Sequence, residues 1–292
     1  MFDIMIIGQI TLDHNVDFDG REEYRTGGAV TFSGYAAAAL GHRVAVVPKG
    51  DEARVDPFAT FADSRVERVF PVHSPTCTEM ENVYFTPDRE RRRSRNTQMI
   101  APYVPEDLPA EPARIYHLGG LVRGDMGGDL IEACAQRGDT ALDVQAMLRC
   151  RNEDGSLELR DWPEKEKYLP YIRYLKTDAA EAEVLTGTDD REKAAFQLCA
   201  WGAKEVLITH NTEAIVCDGQ RIYRAPLKPR NLSGRTGRGD TTFAGYLTER
   251  LGSDIPTALE FASALVSLKM ETPGPFRGTR QDVLDYIDKF YR

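Results

Sequence analysis

The sequence predicts an α/β protein: a mainly parallel sheet with helices on both faces, and a small antiparallel β flap standing off the main body. Three observations lead there. Short apolar runs ending in glycine alternate with amphipathic or alanine-rich segments along most of the chain, the pattern of strands that cross over through helices. Around residues 65–98 the texture shifts to alternating stretches rich in Val, Thr, Tyr and Phe, and residues 11–26 are polar and irregular. No Gly-, Pro- or Ser-rich linker, internal repeat or low-complexity tract divides the 292 residues. One α/β body over residues 1–292, with a β flap from about 11–26 and 65–98, is therefore expected rather than two independent domains.

Taken in order, "FDIMIIG" is a compact apolar run stopped by glycine, as a buried strand requires. "GGAVTFSGYAAAALG" reads as a glycine turn feeding a helix that Gly41 ends. "HRVAVVPKG" supplies the next strand and "PFATFADS" a helix behind it. "RVERVFPVHS", "CTEMENVYFT" and "RRRSRNTQM" read as antiparallel strands, with "TPDRE" as a turn. "ARIYHLGG" is again a short buried strand, "GDLIEACAQRG" a helix and "TALDVQ" a strand. "YIRYLKTDAAEAEVLTG" gives strand, turn and helix, and "REKAAFQLCAWG" with "AKEVLITH" repeats the alternation. "EAIVCDG" and "RIYRAPL" are two more strands. The end is helical: Phe243, Leu247 and Leu251 recur four apart, and Ala258, Phe261, Leu265 and Leu268 share one face behind Pro256. "QDVLDYIDKF" closes the chain.

Bulk properties exclude several classes. A balance of 37 basic against 46 acidic residues, net −9, argues against a general grip on nucleic acid or acidic lipid. No run is apolar for long enough to cross a bilayer, and "MFDIMIIGQITLDHN" lacks the basic region and cleavage site of a secretory signal. Cys77, Cys134, Cys150, Cys199 and Cys217 are odd in number and widely spread, which suits reduced thiols in a cytoplasmic protein. The histidines show no HxH or HExxH spacing, so no transition-metal site is expected.

The most informative stretch is "NLSGRTGRGDTTFAGYLTERLG", residues 231–252. If a helix starts near Arg238 or Gly239, its first amides lack partners and carry the positive end of the helix dipole. Glycines in that turn let an anion approach the backbone closely. Asp240 then stands beside the same pocket, where it could take a proton from a hydroxyl attacking phosphorus. An ordinary N-terminal helix carboxylate fits this segment equally well. Arg238-Gly239-Asp240 as an adhesion tripeptide needs extracellular display, which the cysteine usage does not suggest. GxxxxGK[ST] is absent, and neither glycine cluster has dinucleotide-fold spacing.

Three segments then line up. A strand end "GQITLD" precedes "GGAVTFSGYAAAALG", "LKTDAAEAEVLTG" lies in the middle, and "RTGRGDTTFAGYL" comes late. In order and spacing the chain resembles the ribokinase-like (PfkB) family of carbohydrate and nucleoside kinases over essentially its whole length. The resemblance implies a three-layer α/β/α fold whose β flap is a lid over the sugar site. It implies an ATP- and Mg²⁺-dependent kinase acting on a hydroxyl of a small sugar, inositol-like polyol or nucleoside. Gly237, Arg238, Gly239 and Asp240 match the anion hole, with Asp240 as the catalytic base and Thr236 leading into it. Asp178 and Glu181 match the element that holds Mg²⁺ through waters near the donor's phosphates. Asp13 matches an acid that takes two sugar hydroxyls, and Gly27 and Gly28 the pair on which the lid hinges. Thr209 falls at the nucleotide-side strand end.

This chain also departs from the family pattern. Gly234 stands where the late motif usually begins with Asp, and Arg238 replaces a small residue. Phe32 occupies the place of a sugar-binding Asn, which implies a more apolar pocket floor. A catalytically silent, sugar-binding family member acting as regulator or assembly partner is the competing expectation. Family lids sometimes pair between subunits, which leaves a homodimer through the lid open. The basic run 88–96 is expected to protect a solvated lid edge.

Overall fold

A computed structural model of the chain describes residues 1–86 and 91–292. The main sheet has nine strands, in the order Ile222–Pro226, Glu213–Cys217, Glu205–Thr209, Tyr174–Asp178, Asp139–Asp143, Ala113–Leu118, Phe2–Ile7, Val44–Val47 and Arg68–Val69. Strands joined through helices run parallel, whereas Glu205–Thr209, Glu213–Cys217 and Ile222–Pro226, joined by short turns, pair antiparallel. Strand alternation creates the two outer layers. Within Phe2–Ile7, Ile4 and Ile6 join one core and Met5 and Ile7 the other. The first core takes in Ala29–Ala39, Arg238–Glu249, Ile255–Met270 and Arg280–Phe290; the second takes in Gly128–Ala135, Ala179–Thr186 and Arg191–Ala200. The three-layer α/β/α arrangement is the one expected.

Strand order also fixes where a ligand can bind. From Phe2–Ile7 the chain builds outward to Val44–Val47 and Arg68–Val69, then returns and builds the other way from Ala113–Leu118. Such a reversal opens a crevice at the carboxyl ends of the strands.

A second sheet has the order Glu22–Gly27, Thr11–Val16, Thr78–Tyr84, Arg92–Gln98. It differs from the expected antiparallel flap in three ways. Its central pair, Thr11–Val16 with Thr78–Tyr84, runs parallel, because both strands rise from the same end of the main sheet. Arg68–Val69 lies on the edge of the main sheet, and Val72–His73 pairs with Lys49–Gly50, so the second lid segment begins at Thr78. The Arg92–Gln98 edge is partly covered by the hairpin Arg149–Arg151 and Leu157–Leu159: Arg95 bridges Ser156, and Arg151 Nε donates to the Asn96 carbonyl at 2.8 Å. Most of the expected "TPDRE" turn and the start of the basic run fall on residues 87–90, outside the described residues. Among the described residues no helix is long and apolar enough to cross a membrane. All five cysteines are free.

Candidate active site

Gly237 ends an irregular loop and caps the helix Arg238–Glu249 in the left-handed conformation, with φ of 77°. A side chain there is excluded twice, since a Cβ would also lie 2.1 Å from the Phe32 ring. Arg238 N donates to the Arg235 carbonyl at 3.2 Å and Thr241 N to that of Gly237 at 3.0 Å. Among the described residues the amides of Gly239 and Asp240 reach no backbone carbonyl, as the first turn of a helix requires. Ser33 Oγ donates to the Asp240 carbonyl at 3.2 Å, which ties this helix start to Ala29–Ala39. The tripeptide 238–240 is therefore a half-buried helix start and not a displayed adhesion loop.

Asp240 sits in that first turn. Burial pushes its carboxyl up to about 6; Asp143 adds to the rise, while Lys176, Lys269 and Arg149 oppose it. The cations are the unexpected part. Lys176, near the end of its strand, is buried and donates to both Asp143 oxygens, at 2.9 and 3.1 Å. Its Nζ is 3.9 Å from Glu181 Oε2 and would stand 3.2 Å from a Cβ on Gly239. Burial works against its charge, yet the carboxylates of Asp143, Glu181, Asp240 and Asp178 outweigh it and keep the ammonium protonated. One lysine thus joins the Asp178/Glu181 element to the helix start.

Asp178 and Glu181 form a reciprocal cap. Asp178 Oδ1 accepts from Glu181 N at 2.9 Å, and Glu181 Oε2 accepts from Asp178 N at 2.8 Å. Glu181 is almost fully buried, which pushes its carboxyl up against the pull of Lys176. Thr209 lies in register with Asp178, but its hydroxyl turns to the Thr177 carbonyl at 3.5 Å.

The second group of expected residues lies on the smaller sheet and at the start of Ala29–Ala39. Asp13 is on the first lid strand, opposite Arg25. A Cβ on Gly27 would stand 2.7 Å from Asp13 Oδ2, and one on Gly28, whose φ is +94°, would stand 2.2 Å from the Gln9 carbonyl. The glycine pair thus lets the lid strand, the main-sheet loop and the start of Ala29–Ala39 converge. Gly28 leads directly into Ala29–Ala39, whose Ser33 bonds the Asp240 carbonyl, so this one helix connects the glycine pair to the helix start at 238.

Three departures now have physical accounts. Gly234 leaves no room for a side chain, since a Cβ would be 1.9 Å from the Thr272 carbonyl oxygen. Arg238 Nη1 donates to Asn211 Oδ1 at 2.6 Å, bridging the helix start to the turn after Thr209. Phe32, expected on the floor of the acceptor pocket, packs its ring under Gly237 and faces the Lys269 ammonium at 5.2 Å. Thr236 is exposed and contributes its carbonyl, which accepts from Lys269. The sequence reading missed Lys176, Asp143 and Lys269. Each is a charge inside an otherwise apolar run, "YLK", "ALD" and "LVSLKM", and that was the available signal.

Comparisons with known proteins bear on the family and the fold. A profile of the pfkB family carbohydrate kinases matches residues 70–280. A pyrophosphate-dependent kinase in the ribokinase family, solved with a pyrophosphate analog and myo-inositol, is 35% identical with a TM-score of 0.88, covering 97% of this chain and 99% of that one. A pyrophosphate-dependent myo-inositol-1 kinase, converted by mutation into a myo-inositol-3 kinase, is 33% identical with a TM-score of 0.87, covering 99% and 100%. The cytidine kinase of Thermococcus kodakarensis is 23% identical over 254 residues, 85% of this chain and 88% of that protein.

Proposed function

The chain belongs to the pfkB family of carbohydrate kinases and is a phosphotransferase; on that premise we propose that it moves a phosphoryl group from inorganic pyrophosphate to a hydroxyl of an inositol-like polyol. The observation that carries this is the helix start at residues 237–240, where unpaired amides, a half-buried carboxylate and the cations Lys176 and Lys269 meet. Cations on several sides suit a donor whose charge is concentrated on two phosphates. Arg238, reaching Asn211 across the donor side, adds a third. The structures that are 33–35% identical over nearly the whole chain favour the same donor and acceptor.

In this reading Asp13 accepts hydrogen bonds from neighbouring hydroxyls of the polyol, while Gly27 and Gly28 let it lie against the backbone. Asp240 takes the proton as the acceptor oxygen forms its bond to phosphorus. The bond from that phosphorus to the bridging oxygen breaks, and inorganic phosphate leaves with the electron pair. The amides of Gly239 and Asp240 hold the transferring group's oxygens.

The carboxylates suit magnesium only in part. Asp178 and Glu181 each have one oxygen committed to the cap, and Lys176 stands beside Glu181. Among the described residues no three His, Cys, Asp or Glu converge as ligands. The set fits a hydrated Mg²⁺ arriving with the donor, its waters held by Asp178 and Glu181, where it would neutralise phosphate charge.

ATP, the donor implied by the family resemblance, is the competing outcome. Incubating the protein with myo-inositol, Mg²⁺ and either donor, and following phosphomonoester by phosphorus NMR, separates the two. Pyrophosphate is expected to give a kcat/KM at least about 100-fold above ATP, a difference of about 2.7 kcal/mol in transition-state binding. The reverse ranking overturns the donor assignment. No phosphomonoester with either donor, across inositols, pentoses, hexoses and nucleosides, leaves the silent sugar-binding role instead.

A further inference from the structure

Lys269 lies in the last turn of Ile255–Met270 with 2% of its surface exposed. Its Nζ donates to the carbonyl of Gly234 at 2.6 Å and to that of Thr236, and faces the Phe32 ring. No carboxylate lies within ion-pair distance of it among the described residues; Asp240 is the charge it feels. Burial lowers the ammonium to about 8 even with the pull of Asp240 raising it. A buried cation held by two main-chain carbonyls and a ring face is costly unless an anion comes to it.

The loop it holds is fastened to the same helix end. Gly234 N donates to the Met270 carbonyl at 2.7 Å, and Ser233 Oγ to that of Glu271 at 2.8 Å. The negative end of the helix dipole lies there, which favours a cation. Two residues after Thr236, the chain begins the helix whose first amides face the proposed phosphate site. The Phe32 ring, wedged between Lys269 and Gly237, links the ammonium to the cap itself.

We propose that Lys269 is a tethered monovalent cation: it sets the loop 234–237 in its phosphate-binding shape, so that the protein needs no free potassium or ammonium ion to form the site. This rests on the phosphoryl-transfer reading, but its consequences can be read without turnover. Lys269 is a positioning residue, acting through the Gly234 and Thr236 carbonyls and the Gly237 cap. Truncation to alanine leaves a channel the length of n-propylammonium, ending at two carbonyls and a ring, ligands that also suit K⁺ or NH₄⁺.

Wild-type turnover and melting temperature are expected to change by less than about twofold and 1 °C when tetramethylammonium chloride is replaced by KCl at equal ionic strength. Lys269→Ala is expected to lose about 100-fold in kcat, with the acceptor KM within about threefold, because a misplaced amide raises the barrier and not the acceptor's binding cost. Potassium, ammonium or n-propylammonium at tens of millimolar is expected to restore at least about tenfold and to raise this variant's melting temperature and pyrophosphate affinity. Lys269→Met, filling the space without charge, is expected to stay inactive and unrescued. A wild type that itself requires potassium, a Lys269→Met variant within threefold of wild type, or a folded Lys269→Ala variant indifferent to every cation each overturns the proposal. If Lys269→Ala does not fold, the wild-type cation comparison decides alone. Should the wild type lack kinase activity altogether, the melting and pyrophosphate-binding responses still test Lys269, so the two failures remain distinct.

Discussion

Asp240→Asn is expected to abolish most turnover, lowering kcat by about 10³-fold, within the range general-base removal produces. The amide keeps the size of the side chain but cannot take the acceptor's proton at neutral pH. Pyrophosphate is expected to bind unchanged or more tightly, since a negative charge beside it has gone. Calorimetric titration of the donor, alongside rate measurements, checks both halves. The wild-type pH profile carries the same information. The burial and the Asp143 charge that lift the Asp240 carboxyl to about 6 leave it in its accepting, ionised form above that pH. The rate per encounter is therefore expected to fall roughly tenfold per unit as pH drops below about 6. A profile flat from pH 7 to 5, or a variant retaining a tenth of wild-type turnover, removes Asp240 from the chemistry.

Gly237→Ala is expected to cost both stability and rate. The φ of 77° places an alanine in the left-handed region, at roughly 1–3 kcal/mol. The new methyl also lands 2.1 Å from the buried Phe32 ring. Overpacking of this kind adds about 1–3 kcal/mol. The backbone can relieve both only by rotating the first turn, which carries the amides of Gly239 and Asp240 away from the phosphate. A fall in kcat of about 100-fold follows from displacement on the order of 1 Å. Adding Phe32→Leu is expected to return part of the stability, read by urea unfolding, but little of the rate, because the dihedral strain remains. Full recovery of rate in the double variant contradicts this account of the cap.

These consequences were partly legible in the sequence. Phe2–Ile7 and Val44–Val47 announce themselves by unbroken apolar runs, and Ile255–Met270 by its spacing, because strand and helix periods are local properties. Pairing between distant segments is not local. The parallel register of Thr11–Val16 with Thr78–Tyr84, and the placement of Arg68–Val69 on the main sheet, depend on where the chain returns after some sixty and twenty residues. The site divides in the same way. Gly237, Gly239 and Asp240 are adjacent along one turn, so their geometry follows from helix physics alone. Lys176, Asp143 and Lys269 reach it from three different elements, and Phe32 proves to be a packing partner of Gly237. What the sequence offered for the lysines was an unexplained charge inside an apolar run.

The central claim concerns where the phosphoryl group lies when it moves. Diffraction from crystals of the Asp240→Asn variant grown with pyrophosphate, Mg²⁺ and myo-inositol tests it most directly. The account predicts one phosphate about 3 Å from the main-chain amides at 239 and 240, with a polyol hydroxyl between it and the side chain at 240. Pyrophosphate bound away from that helix start, or a polyol whose hydroxyls all lie beyond hydrogen-bond reach of residue 240, contradicts it.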